Sequence, residues 1–261
     1  MKSLEITRRI AILLIAGLGL GSMPVLASEQ NAGSPGNWEF AGEIYIWGAE
    51  MDSTTPGGTS IDIPFHTILD NLEMTFMGVF AARKDKWTFS TDLIYMDLSD
   101  RKNFTLPGPD VSGSAKAELT SWIITPTVGY NVLDQGKMRI DVVGGLRYID
   151  IEAKLNLNLD GPRPEGFAIS AKDSFSDLNA IVGARGRFSL TEHWYLTGGA
   201  DIGTGDSDLT WQVIGMAGYR FNTFELNAGY RYLDFQFDKG DNDLMDELTT
   251  KGPFVGALFR F

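Results

Sequence analysis

From residue 38 to the C-terminus, apolar and polar positions alternate one by one. In the segment 137–153, Met138, Ile140, Val142, Leu146 and Tyr148 share one parity, and Arg139, Asp141, Gly145 and Arg147 share the other. A period of two is the signature of a strand with one apolar face, not of a helix. The same pattern recurs over 38–48, 73–84, 87–99, 117–131, 176–190, 193–203, 208–222, 224–238 and 249–261. A charged side chain facing lipid at mid-bilayer costs about 2–4 kcal/mol, so in a membrane the apolar parity must face outward and the charged parity inward. After the N-terminal segment, no apolar run approaches the roughly 20 residues of a spanning helix. The pattern predicts an all-β fold: a single antiparallel, up-and-down transmembrane β-barrel of about ten strands over residues 37–261.

The connections alternate in length. Lys84-Asp85-Lys86, Leu133-Asp134-Gln135-Gly136, Thr191-Glu192-His193 and Asn222-Thr223 are tight. The segments 49–72, 100–116, 154–175 and 239–248 read as long polar loops. Short turns on the periplasmic side and longer outer loops are the rule for such barrels, and an even strand count returns both termini to the same side. The short link at Gly203–Asp206 is an exception on the outer side. Eight or twelve strands stay open as alternatives, because 57–64 and 166–173 could pair as extra hairpin arms above the membrane.

Compartment follows from the N-terminus. Lys2, Arg8 and Arg9 precede an apolar stretch, Ile10 to Leu20, and Val25-Leu26-Ala27 places small or compact residues at a cleavage site. Residues 1–27 therefore read as a Sec signal peptide, and 28–36 (Ser-Glu-Gln-Asn-Ala-Gly-Ser-Pro-Gly) as a flexible periplasmic leader. Cleavage removes Lys2, Arg8, Arg9 and Glu5, which moves the net charge from −12 to −14. So acidic a chain argues against nucleic acid as a partner. With no Cys anywhere in the sequence, a disulfide framework is excluded.

The chain ends Pro253-Phe254-Val255-Gly256-Ala257-Leu258-Phe259-Arg260-Phe261. This strand, with Phe259 and the terminal Phe261 on its apolar parity, resembles the closing strand that the barrel-insertion machinery reads. Trp87, Tyr130, Phe188, Trp194, Tyr219, Phe221 and Phe224 join them on outward parity, each beside a tight turn, as an interfacial girdle would require. Together with Gly229-Tyr230-Arg231-Tyr232 and Gly218-Tyr219-Arg220-Phe221, these features resemble the small Gram-negative outer-membrane barrel proteins. The resemblance implies an integral protein of the cell outer membrane. It also implies contact with outer-membrane lipid and lipopolysaccharide, and with the insertion machinery during biogenesis.

Inward parity collects Glu39, Glu43, Arg83, Asp92, Arg139, Asp141, Arg147, Arg185, Arg187, Asp201, Arg220, Glu225, Arg231 and Arg260. Guanidinium forks bind carboxylates in pairs and keep their charge. One reading is a cross-lumen salt-bridge network filling a narrow barrel; the other is a porin-like constriction that selects small acidic solutes. The first is favoured because small barrels pack their interiors. Val79, Ile94, Ile123, Val143, Gly183 and Gly199 share the inward parity and leave room for a water-filled gap. The function expected is thus a narrow or closed pore for small solutes. The alternative is an envelope-structural or surface-binding barrel acting through its outer loops.

Catalysis is weakly signalled. Ten strands with a rim His resemble the omptin proteases, and His66 with Asp70 one helical turn on, or Asp62 before it, could start such a site. His193 falls in a periplasmic turn. Neither His lies mid-strand beside an outward Ser, as the lipid A deacylases and outer-membrane phospholipases resemble one another in requiring. The loop Lys239 to Glu247 offers Asp241, Asp243, Asp246 and Glu247 but lacks the mid-loop Gly of an EF-hand. No catalytic residue, metal site or cofactor is assigned, and a rim hydrolase using His66 is kept as the lesser alternative.

Overall fold

The structure is a computed structural model that describes residues 37–54, 60–105, 112–160, 167–237 and 246–261. The segments expected to be signal peptide (1–27) and leader (28–36), and all but the last two residues of the acidic loop 239–247, lie outside them. The strands are β1 (Trp38–Trp47), β2 (Glu50–Thr54), β3 (Ser60–Ile63), β4 (Leu72–Lys84), β5 (Trp87–Thr105) and β6 (Ser112–Gln135). They continue with β7 (Met138–Asp160), β8 (Phe167–Ser189), β9 (Trp194–Gly205), β10 (Leu209–Arg220), β11 (Phe224–Gln236) and β12 (Glu247–Arg260). One short helix, α1 (Phe65–Asp70), sits between β3 and β4.

Ten of the strands close a barrel. β1 pairs with β4, each later strand pairs antiparallel with the next, and β12 returns to β1. Closure leaves no edge in the barrel wall, which is what a strand must achieve where no water can satisfy its backbone. The remaining two strands form a hairpin: β2 continues β1 after a break at Gly48 and Ala49, runs beside the outer part of β12 and pairs with β3. The hairpin arm expected over 57–64 therefore exists in part, outside the barrel count. The arm expected over 166–173 is instead the outer part of β8.

The tight turns stay tight. Gly136 adopts φ 55° and Asp85 φ 54°, the left-handed region that glycine enters freely and Asp tolerates.

The outward parity is apolar over a limited height. On β7 it runs Met138, Ile140, Val142, Leu146, Tyr148 and then turns polar at Asp150, Glu152 and Lys154. Val142 and Val213 remain about half exposed, and so do Ile46, Val182, Ile202 and Val255 around the wall. An apolar band of this size, ringed at one end by Trp87, Tyr130, Phe188, Trp194 and Phe259, is a lipid-facing surface. Aromatic pairs knit the ring: Trp87 with Tyr130, Trp194 with Tyr219, and Phe221 with Phe224.

Where the sequence suggested polar loops over 100–116 and 154–175, most residues are strand. β6, β7 and β8 have 24, 23 and 23 residues, whereas about 9–11 suffice to cross a bilayer. Beyond the lipid band, β5 to β8 form a four-stranded platform. β9 and β10 stop low, at the short turn 206–208. The platform's outward face is charged and cross-paired: Glu152 meets Lys154 and Lys172 at 2.6 Å each. The Lys154 and Lys172 ammonium groups hold the Glu152 carboxyl below its ordinary range.

The barrel interior as candidate functional site

The inward side chains comprise a set of charged groups and an apolar cluster. Arg147 on β7 reaches Asp201 on β9 at 2.7 Å, with both side chains at 0% exposure. The same guanidinium donates to Thr210 Oγ1 (3.1 Å), and Gln212 donates to the other oxygen of Asp201 (2.7 Å). Arg231 on β11 crosses toward β5 and meets Asp92 at 3.4 Å, while the Tyr45 hydroxyl donates to Asp92 (2.9 Å). Arg185 donates to Ser90 Oγ and Thr127 Oγ1 at 3.2 and 3.0 Å. Arg139 sits between Asp141 (3.2 Å) and Asp134 (3.5 Å), and Asn131 also donates to Asp141. Glu43 is buried and accepts from Asn227 at 2.9 Å. Glu225 receives Arg187, Arg220 and Arg260. Glu39 and Arg83 form a looser, part-exposed pair at 3.9 Å.

The fourteen charged residues thus fall into several separate groups. Their partners include residues that charge alone does not single out: Tyr45, Asn131, Tyr195, Thr210, Gln212 and Asn227. All of these stand on inward parity, so strand alternation was the signal available for them. Asp177 and Asn179, also inward on β8, bind Ser207 and tie the outer part of β8 to the β9–β10 turn (Ser207 Oγ to Asp177, 2.6 Å). Asp234 is different. It is buried although it has outward parity, because Thr249 (2.6 Å) and Gln236 (3.1 Å) cover it.

The apolar inward side chains gather beside these polar groups. Trp47, Met51, Met77, Met96, Leu119, Ile149, Ile151, Met216, Leu233 and Phe235 belong to one buried cluster across the lumen. Val79, Ile94 and Ile123 lie in it, and Val143 is buried as well. At Gly183 an added Cβ would stand 2.2 Å from the Ala200 carbonyl oxygen. Four flexible Met side chains, Met51, Met77, Met96 and Met216, belong to this cluster. On α1, Ile68 is buried in the cluster while His66 and Asp70 stay exposed. Phe175 on β8 meets Phe237, just beyond β11, edge to face at 5.4 Å. His193 stacks on Tyr219 at the opposite end, 5.5 Å between ring centres.

The sequence matches no protein-family model and no curated protein. Among solved structures, the chain is similar to the translocator domain of the autotransporter NalP from Neisseria meningitidis. That match has 16% identity and a TM-score of 0.44, covering 89% of this chain and 90% of that one. It is also similar to an outer membrane channel from Pseudomonas putida F1 (10% identity, TM-score 0.40, 91% and 99% covered). A third is Ail, the attachment invasion locus protein of Yersinia pestis (8% identity, TM-score 0.34, 87% and 99% covered). Ten-stranded closure, a lipid-facing apolar band and a charged interior make this protein an integral outer-membrane β-barrel.

Proposed function

We propose that the barrel is closed to solutes and serves as an envelope-structural or surface-binding anchor, with the β5–β8 platform as the part that makes contacts. The observation that carries this reading is the apolar packing across the lumen, from Trp47 and Met51 through Met96 to Phe235. An ion crossing that layer would shed water without gaining a partner, at an effective cost of several kcal/mol. Lipid and lipopolysaccharide surround the band and the base of the platform, and the insertion machinery reads Phe259 and Phe261. The test is single-channel recording of the refolded protein in a planar bilayer, after heat-modifiable gel mobility has shown that it is folded. A silent membrane is expected. Discrete steps from the unmodified protein would overturn the closed-barrel reading.

A second reading, a narrow gated pore for small solutes, is favoured by one feature. The apolar seal includes a side chain from outside the wall, Ile68 on α1, which follows the break between β1 and β2. In that reading Ile68→Asp opens the pore, and Arg147, Arg185, Arg231, Asp141 and Glu225 set its selectivity. In the closed-anchor reading Ile68→Asp stays silent.

A further inference from the structure

Above the lipid band, β8 loses its neighbour on one side. Its ladder with β9 ends at Asn179 and Gly205, while its ladder with β7 continues to Phe167. Among the described residues, no strand pairs with the other side of 167–178. Backbone alternation says which groups this edge presents. Leu178 donates its N–H to Asp206 Oδ2 (2.9 Å), and its carbonyl accepts from the Asp206 N–H (3.2 Å), so residue 178 points toward β9. In an antiparallel ladder every second residue does the same. Ala168, Ser170, Lys172, Ser174 and Ser176 therefore turn their N–H and C=O groups to the free side, and all five are exposed. The platform's other flank is shorter. There the β4–β5 ladder ends at Leu98, and Ser99 still donates to the Asn71 carbonyl at 2.9 Å.

An edge of this kind is a template for another strand, and proteins commonly blunt it with a bulge, a proline or a charge. The β7–β8 register runs without a shift, and 168–176 contain no Pro. The charges on the edge are Lys172, tied outward to Glu152 at 2.6 Å, and Asp173, whose Oδ1 accepts from the Ser174 N–H at 2.9 Å. The two faces of the edge fix what fits it. Ile169, Ala171 and Phe175 stand on inward parity, and Phe175 meets Phe237 behind the edge. Outward, small residues flank Lys172, which directly opposes Lys154 across the β7–β8 ladder and shares Glu152 with it. A strand laid along this edge brings its inward side chains beside Ile169 and Phe175, where apolar groups belong. One of its outward side chains falls opposite Lys172. A carboxylate there gives Lys172 an opposite charge on its free side, where its β7 neighbour is a like one.

We propose that β8 accepts an extended segment of a partner protein as an added strand along 168–176, with apolar residues on the segment's inward side and an acidic residue opposite Lys172. These residues span about 30 Å. Asp173 is the guard of the edge, since its carboxylate must leave the Ser174 N–H before a ladder can run through. This binding mode rests on the platform being the contact-making part of the protein, and it is independent of whether the lumen conducts.

The probe is a capped, fluorescent peptide of alternating Val and Thr with one Thr at its centre replaced by Glu. Its anisotropy is measured against the full protein in lipid nanodiscs, with empty nanodiscs as the blank. Saturable binding is expected. Ser170→Pro should weaken it about tenfold or more, because proline there removes a donor from the new ladder and none from the ladder with β7. Ser170→Ala, which changes the side chain alone, should leave it unchanged. Asp173→Ala should tighten it by freeing the Ser174 N–H, and Lys172→Glu should reverse the preference for this peptide over one with Lys at its centre. If Ser170→Pro does not fold, the same peptide N-methylated at its Thr and Glu residues carries the comparison on the unmodified protein, and it should not bind. No saturable binding by folded protein, or equal weakening by Ser170→Pro and Ser170→Ala, overturns the added strand. Self-association of the protein that Ser170→Pro removes would put a second copy on the edge and overturn the partner segment. A protein that binds the peptide yet conducts ions keeps this site and loses the closed barrel; a silent protein that leaves the peptide free does the reverse.

Discussion

Arg147→Ala is expected to lower the unfolding free energy of the barrel by about 3–5 kcal/mol, the usual cost of removing one partner from a buried ion pair. Both side chains of the Arg147–Asp201 pair are fully buried. Truncation leaves the Asp201 carboxylate with Gln212 as its donor, and leaves Thr210 Oγ1 without the donor it had in Arg147. Replacing both members together, Arg147→Met with Asp201→Leu, should cost much less, because no charge is then left uncompensated. Urea titration of the protein in lipid vesicles, followed by tryptophan fluorescence, measures both. A single variant within 1 kcal/mol of the parent would mean that water reaches this level of the lumen, and the packed interior would have to be abandoned.

Val142→Arg is expected to destabilise the inserted barrel by about 2–4 kcal/mol, the depth-dependent cost of a lipid-facing Arg near the bilayer centre. Asp150→Arg is its control. Both residues point outward from β7, eight positions apart, but Asp150 stands past Tyr148, where the apolar band ends. There the expected change is within about 1 kcal/mol. The same vesicle titration reads both. Equal effects at the two positions would contradict the height assigned to the lipid band.

Much of this architecture is legible in the sequence, for a simple reason: in a strand, parity is position. Met138, Val142 and Leu146 could not face the charged lumen that Arg139, Asp141 and Arg147 occupy without reversing every neighbour. Ten barrel strands, the tight turns and the aromatic ring all follow from that alternation and from Gly, Asp and Asn at the turns. The height of β5 to β8 was harder to read. Past Tyr148 the outward positions become Asp150, Glu152, Lys154 and Asn156, a polarity that resembles a loop's. The inward alternation of Ile149, Ile151, Ala153 and Leu155 continued all the same. The interior was only half readable. Parity gave the inventory of charges but not the pairing, because Arg231 on β11 pairs with Asp92 across the barrel on β5 and Arg185 on β8 reaches past β7 to Thr127 on β6, which no local spacing encodes. The burial of Ile68 in the apolar cluster needs α1 to pack against the barrel, a tertiary event with no periodic signature.

The seam between β1 and β12 has a kinetic meaning. The other ladders of the barrel wall join strands close in the chain, β1 and β4 being separated only by the β2–β3 hairpin and α1, so those ladders can zip up locally. The last one must bring together groups such as Trp47 Nε1 and the Gly252 carbonyl, 205 residues apart. By chain statistics alone, closing so large a loop costs about 3 kcal/mol more than closing a ten-residue hairpin. It should therefore be the late, rate-limiting step of folding. The seam is fastened at its end. Phe40 and Phe261 exchange backbone hydrogen bonds of 3.2 and 3.0 Å, and their rings lie parallel, 6.5 Å between centres. Phe261 is thus the clasp of a ring, and loosening it is expected to speed the opening of the folded barrel.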